Sequence, residues 1–175
     1  MSPKPCGYPL DHHLIHGVTV RNRLRFTFFA LLSTVLLTAI LPAASAGAQN
    51  TADKQLHALL ATYETSLNAG DAGRIEQLYT LDGVFMPAGF PTASGRLAVR
   101  GAYDAVFRNI RITIHFTVDE LRVNGDFAYA RTHSAGTSTV VATGTSGLEA
   151  NRELFIFART ARGWKIARYA FNKAS

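Results

Sequence analysis

The spacing of apolar residues predicts an amphipathic helix around residue 60. Apolar side chains recur there at intervals of three and four, which places them on one helical face. They are Leu56, Leu59, Leu60, Tyr63 and Leu67. Thr51 or Asp53 can cap the start of this helix with a side-chain oxygen. Gly70 follows at the position where a left-handed residue commonly closes a helix.

A second, shorter helix is predicted directly after this break, with Asp71 as its N-cap. Its inward positions are Ile75, Leu78 and Tyr79, with Leu81 as a further candidate. We expect Asp82 to begin a turn into a short strand over residues 84–86, which Pro87 ends. After a loop over residues 88–94, a third helix is predicted. One face of that helix carries Val99, Ala102, Tyr103, Val106, Phe107 and Ile110.

From Arg111 onward the apolar period changes to two, which is typical of half-buried strands. Hairpin turns are predicted at residues 124–126 and 161–163, and a loop at 143–149. The long strands are predicted over residues 111–123, 127–141, 152–160 and 164–172. The chain is therefore expected to be α+β, with three N-terminal helices packed on a strongly bent antiparallel sheet of about four long strands plus one short strand.

The segment before these elements has the pattern of a cleavable export signal. A cationic stretch at residues 21–25 precedes an apolar run of about 16 residues, 26–41, and small residues at 44–48 fit a cleavage site. The run is shorter than the roughly 20 residues that span a bilayer, so we expect cleavage rather than a membrane anchor. We expect residues 1–48 to be leader and signal peptide, and 49–175 a single domain that is periplasmic or secreted. Residues 1–20 are hypothesised to be an annotation artefact, with translation starting near residue 18 or 20.

Composition narrows the function classes. The formal net charge of +6 falls to about +3 without the leader, which does not favour a nucleic-acid partner. The only cysteine, Cys6, lies in the leader, so no disulfide or thiol nucleophile is expected in the remaining domain. Neither a cluster of metal-ligating side chains nor a glycine-rich phosphate loop is recognisable. We therefore expect neither a metal nor a cofactor.

Three segments, taken in order, resemble the nuclear transport factor 2-like superfamily, which includes ketosteroid isomerases and SnoaL-like polyketide cyclases. They are the helical break over residues 67–71, the segment 78–83 and the closing strand that begins at residues 163–166. The resemblance covers about residues 51–173. It implies a cone in which a bent sheet wraps around a helix, often dimerised through the sheet.

The resemblance also implies roles for particular residues. The tyrosine that donates a hydrogen bond to the substrate in ketosteroid isomerases falls on Tyr63, and their protonated acid falls on Glu153. The proton-shuttling aspartate falls on Met86 or Pro87, and neither side chain can carry a proton. Steroid isomerisation by that mechanism is therefore disfavoured.

Strand alternation indicates which side chains line the interior. In strand 127–141 the resemblance places the small face inward, with Thr132 and Ser134, whereas the other register would present Arg131 and His133. Glu153 shares a face with Phe155 and Phe157 on the next strand. The face expected inward on the last strand carries Trp164, Ile166, Arg168, Ala170 and Asn172. An ion pair between Glu153 and Arg168 is expected if both are buried.

These expectations favour an exported domain that binds a small apolar or carbonyl-bearing molecule. Its predicted lining is Phe85, Met86, Thr132, Ser134, Phe155, Phe157, Trp164, Arg168 and Asn172. The first alternative is a lyase, isomerase or cyclase acting next to a carbonyl, with Tyr63 and Glu153 as catalytic residues. The second is an assembly module that forms a homodimer through its outer sheet face. That face would present Thr113, His115, Tyr129, Arg131 and His133.

Overall fold

A computed structural model describes residues 43–174 of the chain. The cationic stretch, the apolar run and residues 1–20 lie outside the described residues, and the leader and cleavage remain predictions. These residues form three helices: α1 (Ala43–Asn68), α2 (Ala72–Leu78) and α3 (Arg96–Asn109). The same part of the chain contains six strands: β1 (Tyr79–Met86), β2 (Ala93–Ser94), β3 (Ile110–Asn124), β4 (Phe127–Val140), β5 (Ser146–Thr160) and β6 (Gly163–Lys173). Within residues 43–174, no helix is both long and apolar enough to cross a bilayer.

The helices pack on one curved six-stranded sheet with the order β2-β1-β6-β5-β4-β3, so the predicted α+β architecture is confirmed. The expectation of an entirely antiparallel sheet is wrong in one place, because β1 runs parallel to β6. These two strands are joined through most of the domain rather than through a hairpin, so the connection does not force them to be antiparallel.

Several element boundaries differ from the prediction. Helix α1 begins at Ala43 rather than at a cap on Thr51 or Asp53. Tyr79 was expected in the second helix, but it begins β1 and pairs with Ile166. Strand β5 already begins at Ser146 because its polar, glycine-containing start pairs with β4, so sheet contacts override a composition that favours a loop.

The corner between α1 and α2 forms as predicted. Gly70 has a φ of +67°, and the Asp71 side chain accepts a hydrogen bond of 2.8 Å from the backbone N–H of Arg74. Because the cap follows the left-handed glycine immediately, the chain reverses without a longer linker.

Helix α1 is fixed to the outer edge of the sheet by polar side chains one helical turn apart. The Asn68 amide donates to the carbonyl of Ile114 (2.8 Å) and accepts from its N–H (2.9 Å). Glu64 accepts from the N–H of Phe116 at 2.8 Å. Glu64 and Asn68 are four residues apart on the helix, a rise of about 6 Å, and Phe116 and Ile114 are two residues apart on the strand, about 6.7 Å. Because these two spacings nearly match, both side chains reach backbone groups at the free edge of β3. This edge strand is therefore covered by the helix rather than left open for another chain.

Strand β6 contains a β-bulge at Ala167. Phe157 of β5 pairs with Ile166 and the preceding Ile156 pairs with Arg168, so Ala167 has no partner on β5. One extra residue reverses the side-chain alternation of everything beyond it. Trp164 and Ile166 therefore face inward before the bulge, whereas the buried residue after it is Tyr169.

Replacing Asn68 with alanine should lower the free energy of unfolding by about 2 kcal/mol, since two hydrogen bonds of about 1 kcal/mol each between its side chain and the β3 backbone are lost. Urea unfolding followed by circular dichroism measures this loss. Asn109→Ala is the matched control, because the Asn109 amide bonds only to Ala105 of its own helix and is exposed; a change within about 0.5 kcal/mol is expected. Equal losses in the two variants would contradict the role of Asn68.

Candidate functional site

A buried carboxyl group occupies the inner face of the sheet. Glu153 of β5 is 3% exposed, and each of its oxygens is bound by a hydroxyl group of β4. Thr132 Oγ1 lies 2.6 Å from Oε2, and Ser134 Oγ lies 2.5 Å from Oε1. The inward direction predicted for Thr132 and Ser134 is confirmed by the alternating burial along β4. Two neutral hydroxyls thus hold this carboxyl in one orientation.

Glu153 has no cationic side chain as an ion-pair partner among residues 43–174. Burial raises its pKa above the usual glutamate value, and this effect exceeds the opposing hydrogen bonds from Ser134 and Thr132. A buried carboxyl without a counter-charge favours its neutral form because ionisation in an apolar setting is costly. The arrangement can therefore hold a proton and donate it to a hydrogen-bond acceptor.

Asn151 extends this polar cluster and was missed by the sequence analysis. It lies two residues before Glu153 on the same face of β5 and is 7% exposed. Its amide nitrogen donates to Ser134 Oγ at 3.2 Å, whereas its Oδ1 is buried without a partner among the described residues. The predicted strand began at residue 152 and therefore did not include Asn151. Counting back two residues from Glu153 along the same strand face would have identified it.

The remaining predicted lining residues of the inner face pack against one another. Phe85, Phe155, Phe157 and Trp164 are all buried. The Phe155 ring stacks on Tyr169 with centroids 4.2 Å apart, and Phe85 stacks on Tyr103 at 4.7 Å. The side chains that were expected to surround open space therefore pack against other aromatic rings, among them Tyr169 and Tyr103.

Tyr63 belongs to a buried cluster of tyrosines. Its hydroxyl lies 2.6 Å from that of Tyr103, which lies 3.3 Å from that of Tyr79. Burial raises the pKa of all three phenols. They stay protonated, so they can donate hydrogen bonds but cannot act as bases near neutral pH. Tyr103 was predicted only as a core residue of α3, and nothing in the helical pattern indicated its contact with Tyr63.

Arg168 does not pair with Glu153, because the expectation that its side chain faces inward is wrong. The bulge at Ala167 turns Arg168 to the other face of the sheet, where its guanidinium lies 3.3 Å from Asp82 Oδ2. The same reversal leaves Asn172 exposed and Ala170 away from the predicted face. Met86, at the end of β1, is 38% exposed. Arg168 and Asn172 therefore lie apart from the inner polar cluster.

Two concave regions of the described residues lie away from Glu153. One, of about 270 Å³, lies between α1 and the start of β6 and includes Thr62 and Trp164. The other, of about 700 Å³, is bordered by β1, α3 and the turn between β5 and β6. Among residues 43–174 no group of three or more histidine, cysteine or acidic side chains is arranged to hold a metal ion.

The fold is that of the nuclear transport factor 2-like class. The chain belongs to the SnoaL-like domain family, whose model matches residues 59–169. No curated protein matches it.

Solved structures agree with this assignment. A ketosteroid isomerase-like protein from Erwinia carotovora atroseptica is 32% identical, with a TM-score of 0.66, over 70% of this chain and 95% of that one. An NTF2-like protein with a cystatin-like fold from Novosphingobium aromaticivorans is 25% identical (TM-score 0.62; 77% and 90% covered). An NTF2-like superfamily protein from Salmonella enterica is 16% identical (TM-score 0.65; 72% and 93% covered), which shows the shared fold alone.

Glu153 should make stability fall as pH rises. Its pKa in the folded protein is above the unfolded value of about 4.3, so the stabilisation is complete below that value and is lost as pH rises through the folded pKa. Urea unfolding is measured between pH 4 and 8, a range of about four pH units. As pH rises, the free energy of unfolding of Glu153→Gln should increase relative to that of wild type, by at most about 1.4 kcal/mol per pH unit.

Glu149→Gln is the control of opposite sign. Burial alone would raise the pKa of Glu149, but the hydrogen bonds from Lys173 and Ser138 lower it overall. As pH rises through the titration range of Glu149, the wild-type protein gains the stabilising carboxylate and the variant does not. The variant should therefore become less stable than wild type over this range. A pH-independent difference between Glu153→Gln and wild type would overturn the interpretation of Glu153.

Proposed function

We propose that this protein binds a small, largely apolar molecule bearing a carbonyl or hydroxyl group at the inner face of its sheet. The observation that carries the proposal is Glu153, a buried carboxyl that is held by Thr132 and Ser134 and lacks a cationic partner among the described residues. Apolar sites with a few convergent polar groups are the usual form of small-molecule sites. The partly unsatisfied Asn151 beside this carboxyl supplies a second polar contact.

The chemistry of the inner face fits such a ligand. A neutral Glu153 donates a hydrogen bond to a carbonyl oxygen, and an ionised one accepts a bond from a hydroxyl. Phe155 lies two residues further along the same face, and its ring contacts those of Tyr63 and Tyr169. These rings are closely packed, so a flat apolar molecule would reach their surface and the carboxyl group only after a neighbouring side chain moves.

Phe171 is the side chain whose movement would admit the ligand. It pairs directly with Glu153 across β5 and β6, where opposite side chains lie about 5 Å apart. Its ring is only partly buried and stacks loosely on Tyr169 at 5.9 Å and on Phe85 at 6.2 Å. Rotation of this ring would open a path to the carboxyl while leaving the deeper rings in place.

Isothermal titration with naphthyl methyl ketone and with ethylnaphthalene tests the site, because the two probes differ in the carbonyl group. Wild type should bind the ketone up to about tenfold more tightly, as expected for one added hydrogen bond. Glu153→Leu should remove that preference. Phe171→Ala should raise the affinity for both probes, whereas Phe127→Ala, an exposed phenylalanine on the outer face, should leave it unchanged.

Equal affinity of wild type for the two probes would contradict a carbonyl contact at Glu153. If Phe127→Ala raises the affinity for the probes as much as Phe171→Ala does, access to the site does not depend on the ring of Phe171. Circular dichroism of each variant establishes that the fold is retained before binding is compared.

A second candidate function is acid–base catalysis next to a carbonyl, as in a lyase, isomerase or cyclase. It is favoured because Glu153 has no arginine partner among residues 43–174, and because a carboxyl with a raised pKa keeps its proton to a higher pH than an ordinary glutamate. The same ketone provides the readout: in heavy water, catalysis would exchange its methyl protons for deuterium. Glu153→Gln should then keep ketone binding and lose the exchange, whereas a binding protein shows no exchange in either form.

We further propose that the domain is exported and forms a homodimer through its outer sheet face. Exposed apolar side chains meet there on β4 and β5, where Tyr129 pairs with Ile156, and Leu154 lies next to Arg131. The bulged Asp119 binds Arg131 (2.9 Å) and His133 (2.8 Å) beside this patch, so both charge signs are present for a self-complementary contact.

Leu154→Lys should shift the protein from dimer to monomer, because it places a charge inside the apolar patch at a position that is 46% exposed within one chain. Sedimentation equilibrium measures the change. Leu97→Lys is the control, since Leu97 is 77% exposed on α3 and lies off the sheet. A wild type that sediments as a monomer would refute the homodimer.

A further inference from the structure

The larger concave region has chemistry that the inner face lacks. It has a volume of about 700 Å³ and is bordered by the first residues of β1, by Arg96 at the start of α3, and by the β5–β6 turn. Its apolar surface includes Leu81, Ala158 and Ala161, and its cations are Arg96, Arg162 and Lys165. Lys165 pairs with Ala158 and alternates with the inward Trp164 and Ile166, so the cleft opens on the face of the sheet opposite Glu153.

Positive charge in this cleft is not balanced by acids. Arg96 is paired with Glu76 at 3.4 Å, but Arg162 and Lys165 have no acidic partner among residues 43–174. Asp82 is the acid at the border, and its carboxylate is bound by Arg168. The cleft therefore carries two cations that are free to meet a ligand.

The surroundings of Lys165 also favour a negatively charged ligand in this cleft. Burial lowers the pKa of its ammonium group, and the nearby charges of Arg96 and Arg162 lower it further. Its Nζ donates to the backbone carbonyl of Gln77 at 2.7 Å, which uses one of its three donors. An anion in the cleft would relieve the repulsion among these three cations and use the remaining donors. The first turn of α3 adds the partial positive charge of a helix N-terminus at the Arg96 side.

We propose that this cleft binds a small organic anion whose carboxylate or phosphate group is held by Arg162 and Lys165. The apolar body of the anion would lie on Leu81, Ala158 and Ala161, which form the uncharged part of the wall. The volume is within the usual range for small-molecule sites. Because Glu153 faces the other side of the sheet, this binding does not depend on the inner-face ligand.

Isothermal titration with benzoate, phenyl phosphate and benzyl alcohol at constant ionic strength tests the cleft on the whole protein. The three probes share a ring and differ in the anionic group, so they distinguish a carboxylate from a phosphate site. Saturable binding of at least one anion is expected, and Arg162→Gln should weaken it about tenfold. Arg162 lies in an exposed turn, so the fold should tolerate this change.

Arg111→Gln is the matched control, because it removes the same charge from an exposed position on β3, the opposite edge of the sheet. It should leave the affinity unchanged. Equal weakening in the two variants would show general charge attraction and overturn the proposal, as would benzyl alcohol binding as tightly as the anions. Lys165→Gln provides an independent second variant, and unchanged anion affinity in both Arg162→Gln and Lys165→Gln would refute the assignment.

Discussion

The inner face of this domain depends on one backbone irregularity, the bulge at Ala167 in β6. Because Ala167 has no partner on β5, every side chain after it changes face. Tyr169 then enters the interior, where it stacks on Phe155, and Arg168 leaves it for Asp82. Without the bulge, an arginine would project toward Glu153 and an aromatic ring would project toward solvent. The bulge thus places Tyr169 in the core and keeps the cation of Arg168 off the face that carries Glu153.

Because Arg168 lies on the other face, the Glu153 carboxyl group is bound by the hydroxyl groups of Thr132 and Ser134 rather than by a cationic side chain. A buried arginine would have favoured the ionised form strongly. Hydroxyl groups also favour it, but here burial outweighs them, and the pKa rises. The two hydroxyls come from alternate positions of β4, so their spacing matches one carboxyl group bound through both oxygens. A carboxyl whose pKa is raised by burial in an aromatic setting is chemically suited to meet a neutral polar group on a ligand.

How far the sequence predicts this structure varies with the range of the interaction. The Gly70–Asp71 corner and the inward faces of β4 and β5 follow from local rules, because capping and alternation depend on a few neighbouring residues. Glu153, the centre of the polar cluster, was also predicted from the sequence. The bulge was not predicted, since Trp164 to Asn172 alternates equally well without one. The parallel pairing of β1 with β6 was not predicted either, because it depends on contacts between distant segments.

The two faces of the sheet have opposite electrostatic character, and this difference follows from the same alternation. Inward positions of β4 and β5 carry hydroxyl, amide, carboxyl and aromatic groups, which suit a neutral ligand. Around the β5–β6 turn, Arg162 and Lys165 present uncompensated positive charge toward the other side. An anion beside Glu153 would make ionisation of this carboxyl still less favourable, because two negative charges would lie close together. A neutral ligand in the outer cleft would leave Arg162 and Lys165 without an anionic partner. In the two proposed sites, each environment therefore disfavours the ligand class that the other favours.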